Sequence, residues 1–180
     1  FFPGMSHTAS MGKTLIIVDV QYDFLESGAL AVGGADTAYV KRIERIRSRY
    51  DQVILTADWH LADHVSFTVF PPHCVAGTRG AALAVSDGDV LLLKGRDRDT
   101  EEFSAFGDGR HVDEITGDEI HVVGLAGDYC VKQTLLDLLD HAPGKTLCAI
   151  TDLIRSVDGT IYGEVDHFDG RVRFLHASQV

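Results

Sequence analysis

Apolar residues fall in short, nearly unbroken runs along this chain, separated by stretches in which they recur at helical spacing. Thr14-Leu15-Ile16-Ile17-Val18 is the first run, the pattern of a strand covered on both faces. Gln52–Ala57, Val90–Leu93, Ile120–Leu125 and Leu147–Ile150 repeat it, and Arg171–Leu175 reads as an edge strand. Ala35–Tyr50 reads as a helix with a basic outer face (Lys41, Arg42, Arg45, Arg47, Arg49), and Val131–Leu139 as an amphipathic helix. Strands alternating with helical segments imply an α/β fold with a mostly parallel central sheet. In such sheets ligands bind beyond the carboxyl ends of the strands. Two connections, residues 58–80 and 94–110, are long enough to suggest function.

Composition narrows the class. A length of 180 residues suits one domain, taken as residues 13–180, with residues 1–12 set aside as an extension, native or left from expression. A hydrophobic content of 45% and a charged content of 24% argue against disorder. The formal charge of −11 argues against nucleic acid or an anionic membrane as partner, and no apolar run reaches the length of a membrane span. Three cysteines (Cys74, Cys130, Cys148) without a CxxC pair favour free thiols and a reducing, cytoplasmic setting. The first ten residues lack the basic and apolar regions of a signal peptide.

The chemistry-bearing residues lie at strand ends. Cys130 follows the run Ile120–Leu125 and the short turn Ala126-Gly127-Asp128-Tyr129, and it opens the second helix. A helix N-terminus favours thiolate over thiol and can hold a developing oxyanion, whereas the plain alternative is a buried core cysteine. Asp19 directly follows the first strand and Lys94 the third. Either alone reads as a turn residue or a snorkelling side chain. Together with Cys130 they place a thiol, a carboxylate and an ammonium on one sheet edge, a set suited to nucleophilic acyl transfer.

A second constellation is Asp58-Trp59-His60-Leu61-Ala62-Asp63-His64 followed by Phe70-Pro71-Pro72-His73. Asp58 and His60 are two apart, so an extended segment points both to one side. Asp58, His60, His64 and His73 suit one divalent ion (Zn, Fe or Mn), with Asp63 a substitute for one of the histidines. The alternative is a set of solvated loop histidines that never meet.

Five blocks in order carry a resemblance: Val18–Phe24, Asp58-Trp59-His60, Pro71–Thr78, Leu93-Lys94-Gly95 and Leu125–Val131. They resemble the nicotinamidase/pyrazinamidase family of isochorismatase-like cysteine hydrolases over roughly residues 14–160. The resemblance implies a Rossmann-like three-layer α/β/α sandwich and hydrolysis of nicotinamide, a small-molecule amide, to nicotinate and ammonia in NAD salvage. It also implies an Asp19/Lys94/Cys130 triad, the Asp58/His60/His64/His73 metal set and an oxyanion hole from the amides of Ala126 and Cys130, with a cis bond before Ala126. Phe24 and Phe70 match the aromatic positions that sandwich the ring, and Phe103 stands where a Tyr is usual.

The chain departs from that pattern in places. Gly127 replaces a usual Thr and is expected to loosen the oxyanion turn; Gly109–Asp118 is short for a helix; the segment after Thr160 matches weakly. Cys148 and Cys74 read as core residues, Asp152 as a turn cap after the fifth strand, and His111, His121, His141, His167 and His176 as histidines without companions at ligand spacing. The rival readings are a metal-free hydrolase of an N-carbamoyl compound or other small amide, and a catalytically silent binding module. The sequence allows a homo-oligomer without specifying one.

Overall fold

The apolar runs become a six-stranded sheet. The computed structural model describes residues 12–180, so all but Gly12 of the expected extension lies outside the described residues. The strands are β1 (Lys13–Val18), β2 (Gln52–Asp58), β3 (Val90–Lys94), β4 (Glu119–Leu125), β5 (Thr146–Arg155) and β6 (Arg173–Leu175). They lie in the order β3-β2-β1-β4-β5-β6, every pairing parallel. The helices are α1 (Thr37–Ile46) and α2 (Lys132–His141).

Alternation along each strand sends successive side chains to opposite faces and so divides the core. Leu15, Ile17, Val53, Leu55 and Val123 meet Tyr39, Ile43 and Ile46 of α1. Ile16, Ile54, Val122, Leu147 and Ala149 meet Leu135 and Leu138 of α2. Each fully buried aliphatic side chain contributes roughly 1.5–3 kcal/mol. The result is the expected α/β/α sandwich. The Asp36 side chain caps α1 by accepting from Tyr39 N–H (2.8 Å), and the Tyr39 hydroxyl donates to the Leu153 carbonyl (3.0 Å), which fastens the helix to β5.

Two local expectations change. α1 is shorter than Ala35–Tyr50, because Arg47–Arg49 tightens into a 3₁₀ turn. β5 runs on to Arg155 through a bulge, with Ile154 and Arg155 pairing Gly124 and Leu125. Asp152 is therefore inside the strand and caps no turn directly after it. Its Oδ1 accepts from Ala177 N–H (2.8 Å), and its Oδ2 pairs with Arg42 and His176, tying α1 and the C-terminal turn to the sheet. The short Gly109–Asp118 segment holds one 3₁₀ turn, Val112–Glu114, in place of a helix.

The two long connections carry only 3₁₀ turns among named elements, and both lie at the carboxyl ends of the strands. Gly124 (φ +124°) lets β4 approach β1 there: a Cβ would sit 2.7 Å from Val18 N. Among the described residues no helix is long and apolar enough to cross a membrane.

Candidate active site

Strand register brings the reactive groups together. Asp19 is the first residue beyond β1 and adopts φ +51°. Its N–H donates to Thr56 O (3.1 Å), and its Oδ1 accepts from the Thr56 hydroxyl (2.7 Å). Lys94 ends β3 as the register partner of Asp58 on β2. Its Nζ lies 2.7 Å from Asp19 Oδ2, 2.6 Å from Asp58 Oδ1 and 3.4 Å from Cys130 Sγ. Asp19 Oδ2 and Asp58 Oδ1 thus share that ammonium, with the Cys130 sulfur beside it. Lys94 is only 1% exposed, so the two carboxylates are what make its charge tolerable.

Cys130 sits in a single helical turn, Gly127–Val131, that opens α2. The Leu125–Ala126 peptide is cis, as the resemblance implied. The Ala126 carbonyl accepts from both Tyr129 N–H and Val131 N–H (3.1 Å each), closing the turn around the cysteine.

Electrostatics separate the roles. Burial raises the Asp19 carboxyl above its ordinary range, against the pull of Lys94. Burial would also raise Asp58, but the Lys94 ammonium holds it well below the usual carboxylate range. Burial would lower Lys94, yet Asp19 and Asp58 lift it well above its ordinary value. The Cys130 thiol is pushed up by burial and by both carboxylates, with Lys94 opposing. This runs against the expectation of a helix-stabilised thiolate: burial and the two carboxylates favour the thiol form. Asp19 shares the Lys94 ammonium with the thiol, while Asp58 stays ionised.

Asp58, His60 and His73 bring one donor atom each within 4.8 Å of one another. His60 Nδ1 donates to Gly95 O (2.8 Å), so its Nε2 presents a lone pair. That Nε2 is buried without a hydrogen-bond partner, 3.4 Å from Asp58 Oδ2. His73 is held alike: Nδ1 donates to Pro71 O (2.8 Å), and Nε2 lies 3.9 Å from Asp58 Oδ2. Two imidazole lone pairs converging on a carboxylate fit a divalent cation. The expected fourth ligand, His64, is not in this group. Its ring stacks on His60 (centroids 4.1 Å apart), Nδ1 accepts from Ser66 N–H and Nε2 donates to Thr100 O (3.1 Å each). Asp63 is ion-paired with Arg98 at the surface and is no substitute.

Above the thiol lies a mainly apolar cavity of about 110 Å³. Phe24, Phe70, Phe103 and Ala126 line it as expected, together with Asp58, His73 and Cys130. Tyr129 is an additional wall, its ring 5.7 Å from Phe70 and 5.8 Å from Phe103 between centroids.

Sequence reasoning missed several supports. Gln21 brackets the Asp58 backbone: its Oε1 accepts from Asp58 N–H (2.9 Å) and its Nε2 donates to Asp58 O (2.8 Å). Asp23 accepts from Cys74 N–H (2.8 Å) and so fixes the residue after His73. Both lie in the quoted Val18–Phe24 block, where polar residues at alternate positions (Asp19, Gln21, Asp23) were the available signal. His121 also has companions after all: Tyr50 Oη at 2.8 Å, Glu119 at 2.7 Å, and Cys148 opposite it in register. That cluster lies nearer the amino ends of β4 and β5, away from Cys130, and both ring nitrogens are already engaged. Cys74 and Cys148 are fully buried, as expected of core thiols.

Residues 13–161 match the Isochorismatase domain family. The chain belongs to that family. Among its relatives, the nicotinamidase/pyrazinamidase of Mycobacterium tuberculosis is 38% identical over 170 residues, covering 81% of this chain and 87% of the relative. The nicotinamidase of Acinetobacter baylyi is 30% identical over 186 residues, covering 85% of each. Among solved structures, the pyrazinamidase of Pyrococcus horikoshii in complex with zinc superposes with a TM-score of 0.78 at 26% identity, over 92% of this chain and 99% of that one. The sheet order and the two covering helices are thus those of an isochorismatase-domain sandwich.

Proposed function

We propose that this protein is a metal-dependent cysteine amidohydrolase that converts nicotinamide to nicotinate and ammonia, and pyrazinamide to pyrazinoate. The observation that carries the reading is the placement of Cys130, Asp19 and Lys94 beneath an aromatic-walled cavity that also holds Asp58 and His73. The nicotinamidase relatives support the choice of substrate.

The cavity takes a flat heteroaromatic ring between Phe24, Phe70 and Phe103 with its carboxamide toward Cys130. Asp19 takes the thiol proton as sulfur attacks the carboxamide carbon, and the C=O electron pair moves onto oxygen. The amides of Ala126 and Cys130 hold that oxyanion. Collapse expels ammonia, with the proton returned by Asp19, and leaves a thioester on Cys130. Asp19 then deprotonates water for the second attack, which releases nicotinate and restores the thiol. Lys94 keeps both carboxylates and the developing negative charge tolerable throughout. Asp58, His60 and His73 would hold one divalent ion (zinc, iron or manganese), with His64 behind them; bound there it supplies a positive site that orients the ring nitrogen. Three free thiols among the described residues support a reducing, cytoplasmic setting, and nicotinate is a precursor for NAD salvage.

The test compares ammonia release from nicotinamide, pyrazinamide and an N-carbamoyl amine, before and after chelation. Turnover of the first two that is lost on chelation and restored by added metal is the expected result. Turnover of the N-carbamoyl compound alone, or indifference to chelation, supports the metal-free rival.

A further inference from the structure

Gly127 opens the turn that carries Cys130, and its missing side chain leaves no gap. A Cβ there would run into Ser156 Oγ and would lie 2.8 Å from Tyr162 Cδ2 and 2.9 Å from Ile154 Cγ2. The expectation that glycine loosens the turn therefore fails: the chain after β5 fills the space from behind. The next residue adds a polar latch. Asp128 Oδ1 accepts from Val157 N–H (2.9 Å), and Oδ2 accepts from Asp158 N–H (3.1 Å). The same segment reaches the front, where Val157 lines the substrate cavity. Tyr162 is anchored at the sheet edge, its ring edge-on to Phe174 of β6 (6.2 Å between centroids).

We infer that residues 156–162 buttress the oxyanion turn, with Tyr162 and Asp128 as positioning residues for the Ala126 and Cys130 amides. This rests on the amidohydrolase reading for its catalytic consequence and on packing alone for its structural one. The Tyr162 hydroxyl is buried without a hydrogen-bond partner, so the ring, not the hydroxyl, supplies the contact. A donor displaced by a fraction of an ångström holds the ground-state amide as before but the tetrahedral oxyanion less well, so the loss falls on kcat.

The experiment takes the full chain with metal bound as wild type, Tyr162→Ala, Tyr162→Phe and Gly127→Ala. Gly127→Ala presses on the same contact from the turn side and covers the case in which Tyr162→Ala does not fold. Tyr162→Ala and Gly127→Ala should lower kcat about tenfold or more with KM changed less than about threefold, while Tyr162→Phe keeps wild-type rates. Inhibition by pyridine-3-carbaldehyde, whose carbonyl adds the Cys130 S–H to give a tetrahedral hemithioacetal, should weaken in step with kcat. Hydrogen exchange of amides 126–131 should quicken in both damaging variants while β1 is unchanged. Unaltered exchange and unaltered kcat overturn the buttress. Should wild type release no ammonia from nicotinamide, the substrate reading fails, and exchange at 126–131 still decides the buttress.

Discussion

Asp58 and Lys94 are register partners across β2 and β3, and the Lys94 ammonium lies 2.6 Å from Asp58 Oδ1. The other oxygen of the same carboxylate faces His60 and His73. Asp58 thus joins the histidine cluster to Lys94, which completes the link to Asp19 and Cys130.

Replacing Lys94 by Met leaves two buried carboxylates without their counter-charge. Stability should fall by about 3–5 kcal/mol, read by urea unfolding, and ammonia release by about a hundredfold or more. A variant of wild-type stability would mean that water replaces the ammonium at this site.

The histidines should separate by metal content after dialysis. His60→Ala and His73→Ala each remove a converging lone pair and should lose most of the bound ion. His64→Ala should keep most of it, because both His64 ring nitrogens are already occupied. Equal losses in all three would restore His64 as a ligand.

The sheet was legible in the sequence because strands buried on both faces appear as unbroken apolar runs, and Asp19 and Lys94 stood out as charges ending such runs. What stayed hidden depended on register and burial. The Asp58–Lys94 contact follows from how β2 pairs with β3, and the Cys148 neighbour of His121 from how β4 pairs with β5. The bulge that keeps Asp152 inside β5 leaves no compositional mark. Full burial of the Cys130 thiol and a second carboxylate, Asp58, beside it act against the helix terminus, and both depend on the tertiary fold. Gly127 read as slack because Ser156 and Tyr162, distant in sequence, fill the space.

Gly124→Ala tests the close approach of β4 to β1 beside Asp19. The new methyl would meet Val18 backbone, which cannot yield as a side chain can. A loss of about 1–3 kcal/mol or more is expected, visible as a drop in thermal midpoint of roughly 2–4 °C per kcal/mol. An unchanged midpoint would mean that the strands separate freely there.

His121 should shape the acid side of the stability curve. Burial holds its pKa below the ordinary 6.5 despite Glu119, so the unfolded chain takes up a proton before the folded one does. Its stabilising contribution is therefore complete above 6.5 and falls as pH drops below that value. Glu119, held below 4.5 chiefly by its hydrogen bond to His121, loses its contribution further down in the same direction. Between about pH 7 and about pH 5, His121→Gln should lose less stability than wild type does. Parallel curves for the two proteins would mean that His121 does not set the acid side of stability.

A nucleophilic role for Cys130 on nicotinamide is tested by ammonia release from wild type and Cys130→Ala at matched metal content. Wild type should turn over and the variant should show nothing above background. Comparable turnover by both would contradict it, since the metal cluster would then be hydrolysing the amide without the thiol.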